Sequence, residues 1–165
     1  MKTLWIDNMK QITAHDLTAM SEQASKLPRL RAHRNLHEEL SDPVQRLVIA
    51  MEPGTYIRPH RHPQTWELLT PLSGRFVVLQ FDNNGVITQR TLLGEETKIL
   101  EMPAATWHAV LSVDPGGVIF EVKQGPYLAL SENDCMPWAP AEGEDGIEAV
   151  MRWYATAKVG DRYPH

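Results

Sequence analysis

G-T-Y-I-R-P-H-R-H-P-Q-T-W-E-L-L-T-P-L-S-G, running from Gly54 to Gly74, gathers His60, His62 and Glu67 into eight residues. Its first part reads as extended strand. Alternate side chains on a strand share a face, so His60 and His62 point the same way. Two imidazoles and a nearby carboxylate on one face can hold a transition metal. A second segment, M-P-A-A-T-W-H at 102–108, supplies a further candidate ligand, His108. Nitrogen and carboxylate donors suit one divalent ion such as Zn, Fe, Mn or Ni. The set has no thiolate that would select Cu(I) or an iron–sulfur cluster. The alternative is that these are ordinary surface or core side chains, which would require three histidines and a glutamate to gather on facing strands by chance.

Around this stretch the pattern is strand after strand. The expected strands are Gln45–Met51, Thr55–His60, Trp66–Leu72, Arg75–Phe81, Val86–Leu92, Lys98–Met102, Trp107–Val113 and Val118–Lys123. Turn residues separate them, among them Glu52-Pro53-Gly54, Asp82-Asn83-Asn84-Gly85 and Asp114-Pro115-Gly116-Gly117. Short strands at regular spacing predict an all-β sandwich or barrel, and eight of them suit a jelly roll. Before the strands, residues 13–27 read as a helix. Thr13 and Asp16 form its capping signal, Leu17, Met20, Ala24 and Leu27 its apolar face, and Pro28 its stop. Residues 29–43 read as a polar connection with some extended character. After Lys123, an irregular segment leads to a short amphipathic helix marked by Ile147, Val150, Met151 and Tyr154. The tail K-V-G-D-R-Y-P-H is expected to fray. One domain over 1–165 is expected, with helix and connection at 1–44, barrel at 45–123 and C-terminal extension at 124–165.

The 165 residues carry a net charge of −5, which offers no global basic field to a nucleic acid. The single cysteine, Cys135, leaves no intrachain disulfide and suits a reducing compartment. It reads as structural, because no histidine or basic residue adjoins it in sequence. No apolar run reaches the ~18 residues of a membrane helix. The N-terminal M-K-T-L-W-I-D-N-M-K meets a charge at Asp7 before any signal-peptide core develops. A cytoplasmic protein is expected, with no nucleic-acid or membrane partner.

The spacing also carries a family resemblance. Gly54, His60-x-His62, Glu67 and Gly74 match the first cupin motif at every defined position. The second motif is matched at Pro103, Trp107 and His108. Ala105 stands where that motif has glycine, Ser112 where it has asparagine, and Gly94 lies too far upstream. More narrowly, the chain resembles the WbuC family of cupin-fold metalloproteins. The matching segments are R-A-H-R-N-L-H at 31–37, Q-R-L-V-I-A-M-E-P-G-T-Y-I-R-P-H-R-H at 45–62, W-E-L at 66–68, G-R-F-V-V-L-Q-F-D at 74–82, T-W-H at 106–108 and F-E-V-K-Q-G-P-Y at 120–127. The resemblance, which covers roughly residues 30–140, implies a cupin-type double-stranded β-helix (jelly roll) barrel; with the helices read above, the expected fold is all-β, that barrel with an N-terminal helix and a short C-terminal helix. The resemblance also implies a metal inside the barrel and a homodimer, and it associates the chain with O-antigen, lipopolysaccharide and other surface polysaccharides.

Further site candidates surround the ligands. If the strand before His60 is regular, Tyr56 and Arg58 share the ligand face, and Arg61 faces away. An arginine there would grip a carboxylate or phosphate, since its donor fork matches two oxygens. Glu121 and Lys123 alternate with Phe120 and Val122; either they face solvent or they enter the barrel, where the pair could move protons. Arg34, Asn35 and His37 lie on the N-terminal connection, which could cross the barrel mouth; Tyr127 could offer a phenol. Trp66 and Trp107 each precede a ligand and so face away from it. His33 is a weak ligand candidate, and His15 and His165 are not candidates.

Two classes of function follow. One is a metal-dependent enzyme acting on a small oxygen-rich metabolite such as a sugar or sugar-nucleotide. It would isomerise its substrate with Glu121 as base, or act as an Fe(II)-dependent dioxygenase. The other is a non-catalytic binding protein for a sugar or organic acid.

Overall fold

A computed structural model describes residues 9–164. Most of the N-terminal segment discussed above, Trp5 included, lies outside the described residues, as does His165. Helix α1 (Ala14–Ser25) begins with a reciprocal capping box between Thr13 and Asp16 and ends at Lys26, shortly before Pro28. Met20 and Ala24 are buried and Leu17 packs beside them. Leu27, expected on the same face, is 38% exposed because it lies past the helix end.

Eight strands follow: β1 (Arg31–Asn35), β2 (Val44–Met51), β3 (Glu67–Ser73), β4 (Phe76–Phe81), β5 (Ile87–Leu93), β6 (Leu100–Met102), β7 (Trp107–Ser112) and β8 (Val118–Gln124). Helix α2 (Ile147–Thr156) closes the order. All strand pairs are antiparallel. One sheet runs β1-β2-β8-β3-β6 and the other β5-β4-β7.

Two strand expectations are corrected. Thr55–His60 forms no strand; within it, bridging is confined to His60, which pairs with His108 and with Cys135. Pro59 has no N–H to give a ladder. Neighbouring groups bond irregular segments instead: Thr55 Oγ1 donates to the Leu30 carbonyl, and the Pro59 carbonyl accepts from the Met136 amide. The connection 29–43, in turn, contains a true strand, β1, paired residue for residue with β2.

The sheets face each other, and each outer face is covered by a helix. Phe76, Val78, Val110, Leu69, Ile119 and Met51 meet between the sheets. Val77, Leu79, Trp107 and Ala109 turn outward beneath Val150 and Tyr154 of α2. Ala32, Val48, Ala50 and Val118 turn outward beneath Met20 and Ala24 of α1. Strands buried on both faces read as apolar runs rather than alternations, as V-V-L-Q-F and W-H-A-V-L do. Gly54 (φ +100) and Gly74 (φ +72), the glycines bounding the opening stretch, both adopt left-handed backbone. At Gly74 a Cβ would sit 2.9 Å from the Gly117 Cα.

Over its described residues, 158–164, the tail is packed rather than frayed. Arg162 bridges Val86, the Ile87 amide donates to the Asp161 carbonyl at 2.9 Å, and Tyr163 stacks on Trp138 at 5.1 Å between ring centroids. Trp153 and Phe81 complete this aromatic cluster. Among the described residues no helix is long and apolar enough to cross a membrane.

Candidate metal centre

The His60 and His108 backbones exchange a pair of hydrogen bonds at 2.9 and 3.0 Å, which ties the loop bearing His60 and His62 to the edge of β7. On its other side the loop is held by the C-terminal extension: the Arg61 amide donates to the Asp134 carbonyl at 2.9 Å. From below, the turn between β6 and β7 reaches up, and the Ala105 amide donates to the His62 carbonyl at 2.8 Å. Ala105 takes φ +65, the left-handed conformation that a glycine would adopt at least cost. Alanine thus makes here the left-handed turn that glycine would favour. Ser112, where the second motif has asparagine, is buried and donates to the Met51 carbonyl.

Four side chains converge here. Donor atoms of His60, His62 and Glu67 all lie within 4.8 Å of one another. His108 joins through Glu67, its Nε2 standing 3.0 Å from Oε2, and its ring centroid is 4.5 Å from that of His60. His62 Nε2 is 3.3 Å from the other Glu67 oxygen. His60 Nδ1 lies 2.8 Å from the Arg58 carbonyl, and His108 Nδ1 lies 2.9 Å from the Thr106 carbonyl. A carbonyl only accepts, so each Nδ1 carries a proton, and whenever the ring is neutral its Nε2 lone pair points into the cluster, as a metal ligand must.

The electrostatics agree. Burial lowers the His60 pKa to about 3, and neighbouring His108 adds to the effect. Burial alone would raise Glu67, but hydrogen bonds from His108 and His62 hold it well below the usual carboxylate range. Burial would lower His108, yet its bond to Glu67 raises it on balance. A buried carboxylate ringed by imidazoles calls for a cation, and a shared metal ion would supply one. The donor set fits a divalent transition metal.

The cluster lines a cavity of about 270 Å³. Its walls are apolar at Ile49, Met51, Ile57, Leu69, Val110 and Ile119 and charged at Arg31, Glu121 and Lys123. Register explains the charged side: on β8, Lys123 sits opposite Glu67 of β3, and Glu121 lies between Leu47 of β2 and Leu69 of β3. Both therefore face inward, with side chains only 17% and 13% exposed for Glu121 and Lys123. Burial, with the Glu67 charge close by, pushes Glu121 up to about 7.

The other candidates lie elsewhere. Arg58 is turned to the C-terminal extension, donating to the Ala139 carbonyl at 3.0 Å and to both Glu132 oxygens, and Tyr56 donates to the Pro140 carbonyl at 2.9 Å. The strand they were expected to share with His60 is not formed, so strand alternation does not carry them to its face. Arg34 points outward to Asp16 of α1 at 2.8 Å. His37 is buried, and its Nδ1 accepts from the Arg46 amide at 2.9 Å. Asn35 faces the barrel interior but is not among the residues lining the cavity. Tyr127 is 48% exposed, with its ring 5.9 Å from Lys123 Nζ and not in the cavity wall. Arg61 stacks on Trp107, away from the cluster, as expected. Among the polar cavity residues, Arg31 and His33 were not singled out as substrate contacts. The alternation R-A-H-R-N was the available signal, with Ala32 turned to the core.

A family described as "Domain of unknown function (DUF6016)" matches residues 12–93. No curated protein matches the chain. Among solved structures, an oxalate oxidase in complex with glycolate is similar at 17% identity and a TM-score of 0.50, over 64% of this chain and 57% of that one. KdgF from Halomonas sp. aligns at 16% identity and a TM-score of 0.46, over 60% and 81% of the two chains. Oxalate decarboxylase from Bacillus subtilis aligns at 19% identity and 0.48, over 64% and 27%. The chain thus spans little more than half of the oxidase and about a quarter of the decarboxylase. At these identities the likeness is one of fold: the chain is an all-β cupin barrel, with a His/Glu cluster that could hold a metal.

Proposed function

We propose that this chain is a metal-dependent cupin enzyme of the WbuC type, acting on a small oxygen-rich metabolite such as a sugar derivative of surface polysaccharide or O-antigen synthesis. The observation that carries the reading is the convergence of His60, His62, Glu67 and His108 at the wall of a cavity that also holds an inward-facing Glu121–Lys123 pair. The four residues would hold one divalent ion, which when bound supplies Lewis-acid polarisation of a substrate oxygen. Glu121, with its pKa near 7, can give or take a proton at neutral pH. Lys123 opposite Glu67 places positive charge beside it. A cavity of about 270 Å³ is at the small end for ligand sites, which favours a monosaccharide or small acid over a whole sugar-nucleotide inside the barrel. A cytoplasmic homodimer is part of the same proposal.

The test is elemental analysis of the purified protein beside its His62→Ala variant, followed by turnover assays on a panel of sugars and hydroxy acids. About one metal per chain is expected in the wild type, with loss in the variant. Stoichiometric metal in His62→Ala would sink the ligand assignment. Tight binding across the panel with no turnover would favour a binding protein.

A further inference from the structure

We propose that Lys123 is an anion anchor between two cavities, and that the ligand is a hydroxylated small acid: its acidic group lies on Lys123 and its hydroxylated tail runs along an outer groove. This rests on the metal-site reading and names the substrate class for it. Lys123 projects inward from β8 between Gln45 of β2 and Glu67 of β3, with its side chain 13% exposed. The Gln45 amide is already committed to the carbonyls of Leu40 and Asp42. Among the described residues the Lys123 ammonium makes no hydrogen bond; Glu121 stands at 3.8 Å, beyond hydrogen-bond distance. Lys123 is thus ion-paired with Glu121 and has the Tyr127 ring 5.9 Å away, but its three N–H donors have no acceptor at hydrogen-bond distance and are open to an anionic ligand.

The other cation on this wall is not available in the same way. Arg31 spends its guanidinium on Glu142 at 2.6 Å and on the Tyr56 carbonyl at 3.1 Å. Lys123 also lines a second cavity of about 280 Å³, and His62 is the other wall the two cavities share. Gln64, Thr65 and Gln124 line this outer groove, and their side chains make no hydrogen bond within the described residues. Amides and a hydroxyl that both give and accept hydrogen bonds suit a run of hydroxyl groups, and Leu128 and Leu130 offer the apolar contact that a carbon chain also needs. One acidic group at the shared wall would satisfy the ammonium while a neighbouring oxygen reached the His/Glu cluster.

The probes are D-gluconate, D-glucose and glycolate, titrated calorimetrically into the dialysed full chain with and without loaded Zn²⁺. Gluconate is expected to bind at least tenfold tighter than glucose. Lys123→Met should reduce that preference by roughly 10- to 100-fold, the size of a lost hydrogen bond to a charged group, and Lys123→Arg should restore it. Thr65→Trp, which fills the outer groove, should weaken gluconate about tenfold while glycolate is unchanged, the groove serving only the longer ligand. Equal affinity for gluconate and glucose, an undiminished preference in Lys123→Met, or no binding of either acid would overturn the proposal. Metal content read on the same samples separates the two readings. An acid preference that depends on Lys123 in protein unable to hold metal would leave this inference standing and refute the metal site. Stoichiometric metal lost in His62→Ala, with no acid preference, would do the reverse.

Discussion

Replacing Glu121 by Gln in metal-free protein should change the pH dependence of stability more than stability itself at acid pH. The Glu121 carboxyl lies between Leu47 and Leu69 and faces the Glu67 charge, and its pKa is raised from 4.5 to about 7. An acid whose folded pKa lies above its unfolded one binds more protons when folded between the two values. Its contribution therefore falls as pH rises from about 4.5 to about 7, and stays low above that. At 1.36 kcal/mol per pH unit, the interval corresponds to about 3 kcal/mol. Gln keeps the shape and has no proton to lose, so the variant should gain about 3 kcal/mol on the wild type between pH 4.5 and 7.5. At roughly 2–4 °C per kcal/mol for a chain of this size, the gap in Tm should open by ~6–12 °C. The assay is urea unfolding of EDTA-treated proteins at three pH values, read by tryptophan fluorescence; groups common to both proteins cancel in the difference. A gap constant with pH would refute the reasoning, since it would mean Glu121 ionises as freely in the barrel as in the unfolded chain. Loaded metal should narrow the gap, because a cation on Glu67 favours the Glu121 anion.

Three further outcomes are expected. Ala105→Gly should stabilise by about 0.5–1 kcal/mol, because the left-handed backbone at φ +65 strains alanine more than the freer unfolded glycine costs; a clear loss in urea midpoint would count against that balance. Tyr154→Phe should cost about 1–2 kcal/mol, since the Ile57 carbonyl loses the 3.1 Å bond that ties α2 to the segment before His60; a calorimetric Tm equal to wild type would show that water replaces it. Thr13→Ala should cost about 1 kcal/mol by opening the capping box with Asp16. An unchanged midpoint there would mean that α1 is held by its buried face alone.

Much of the barrel and all four members of the cluster were legible in the chain. His60, His62 and Glu67 are close in sequence, and the strand pattern supplied a facing element for His108. Inward placement of Glu121 and Lys123 was left open, because alternation names two faces and does not say which is inside. The register of β8 between β2 and β3 decided it. Tyr56 and Arg58 show the opposite case: alternation was applied to a segment that has no ladder, and their partners, two carbonyls and the Glu132 carboxylate, lie far along the chain in the C-terminal extension.

By itself the sequence determined the donor chemistry, the turn positions and the period of the strands, because these depend on neighbours a few residues apart. Tertiary structure alone decided that the C-terminal extension buttresses the ligand loop, that β1 brings Arg31 and His33 to the cavity, and that Lys123 stands between two cavities. Each of these rests on hydrogen bonds and burial between segments far apart in the chain, whose pairing energy is not written in either segment alone.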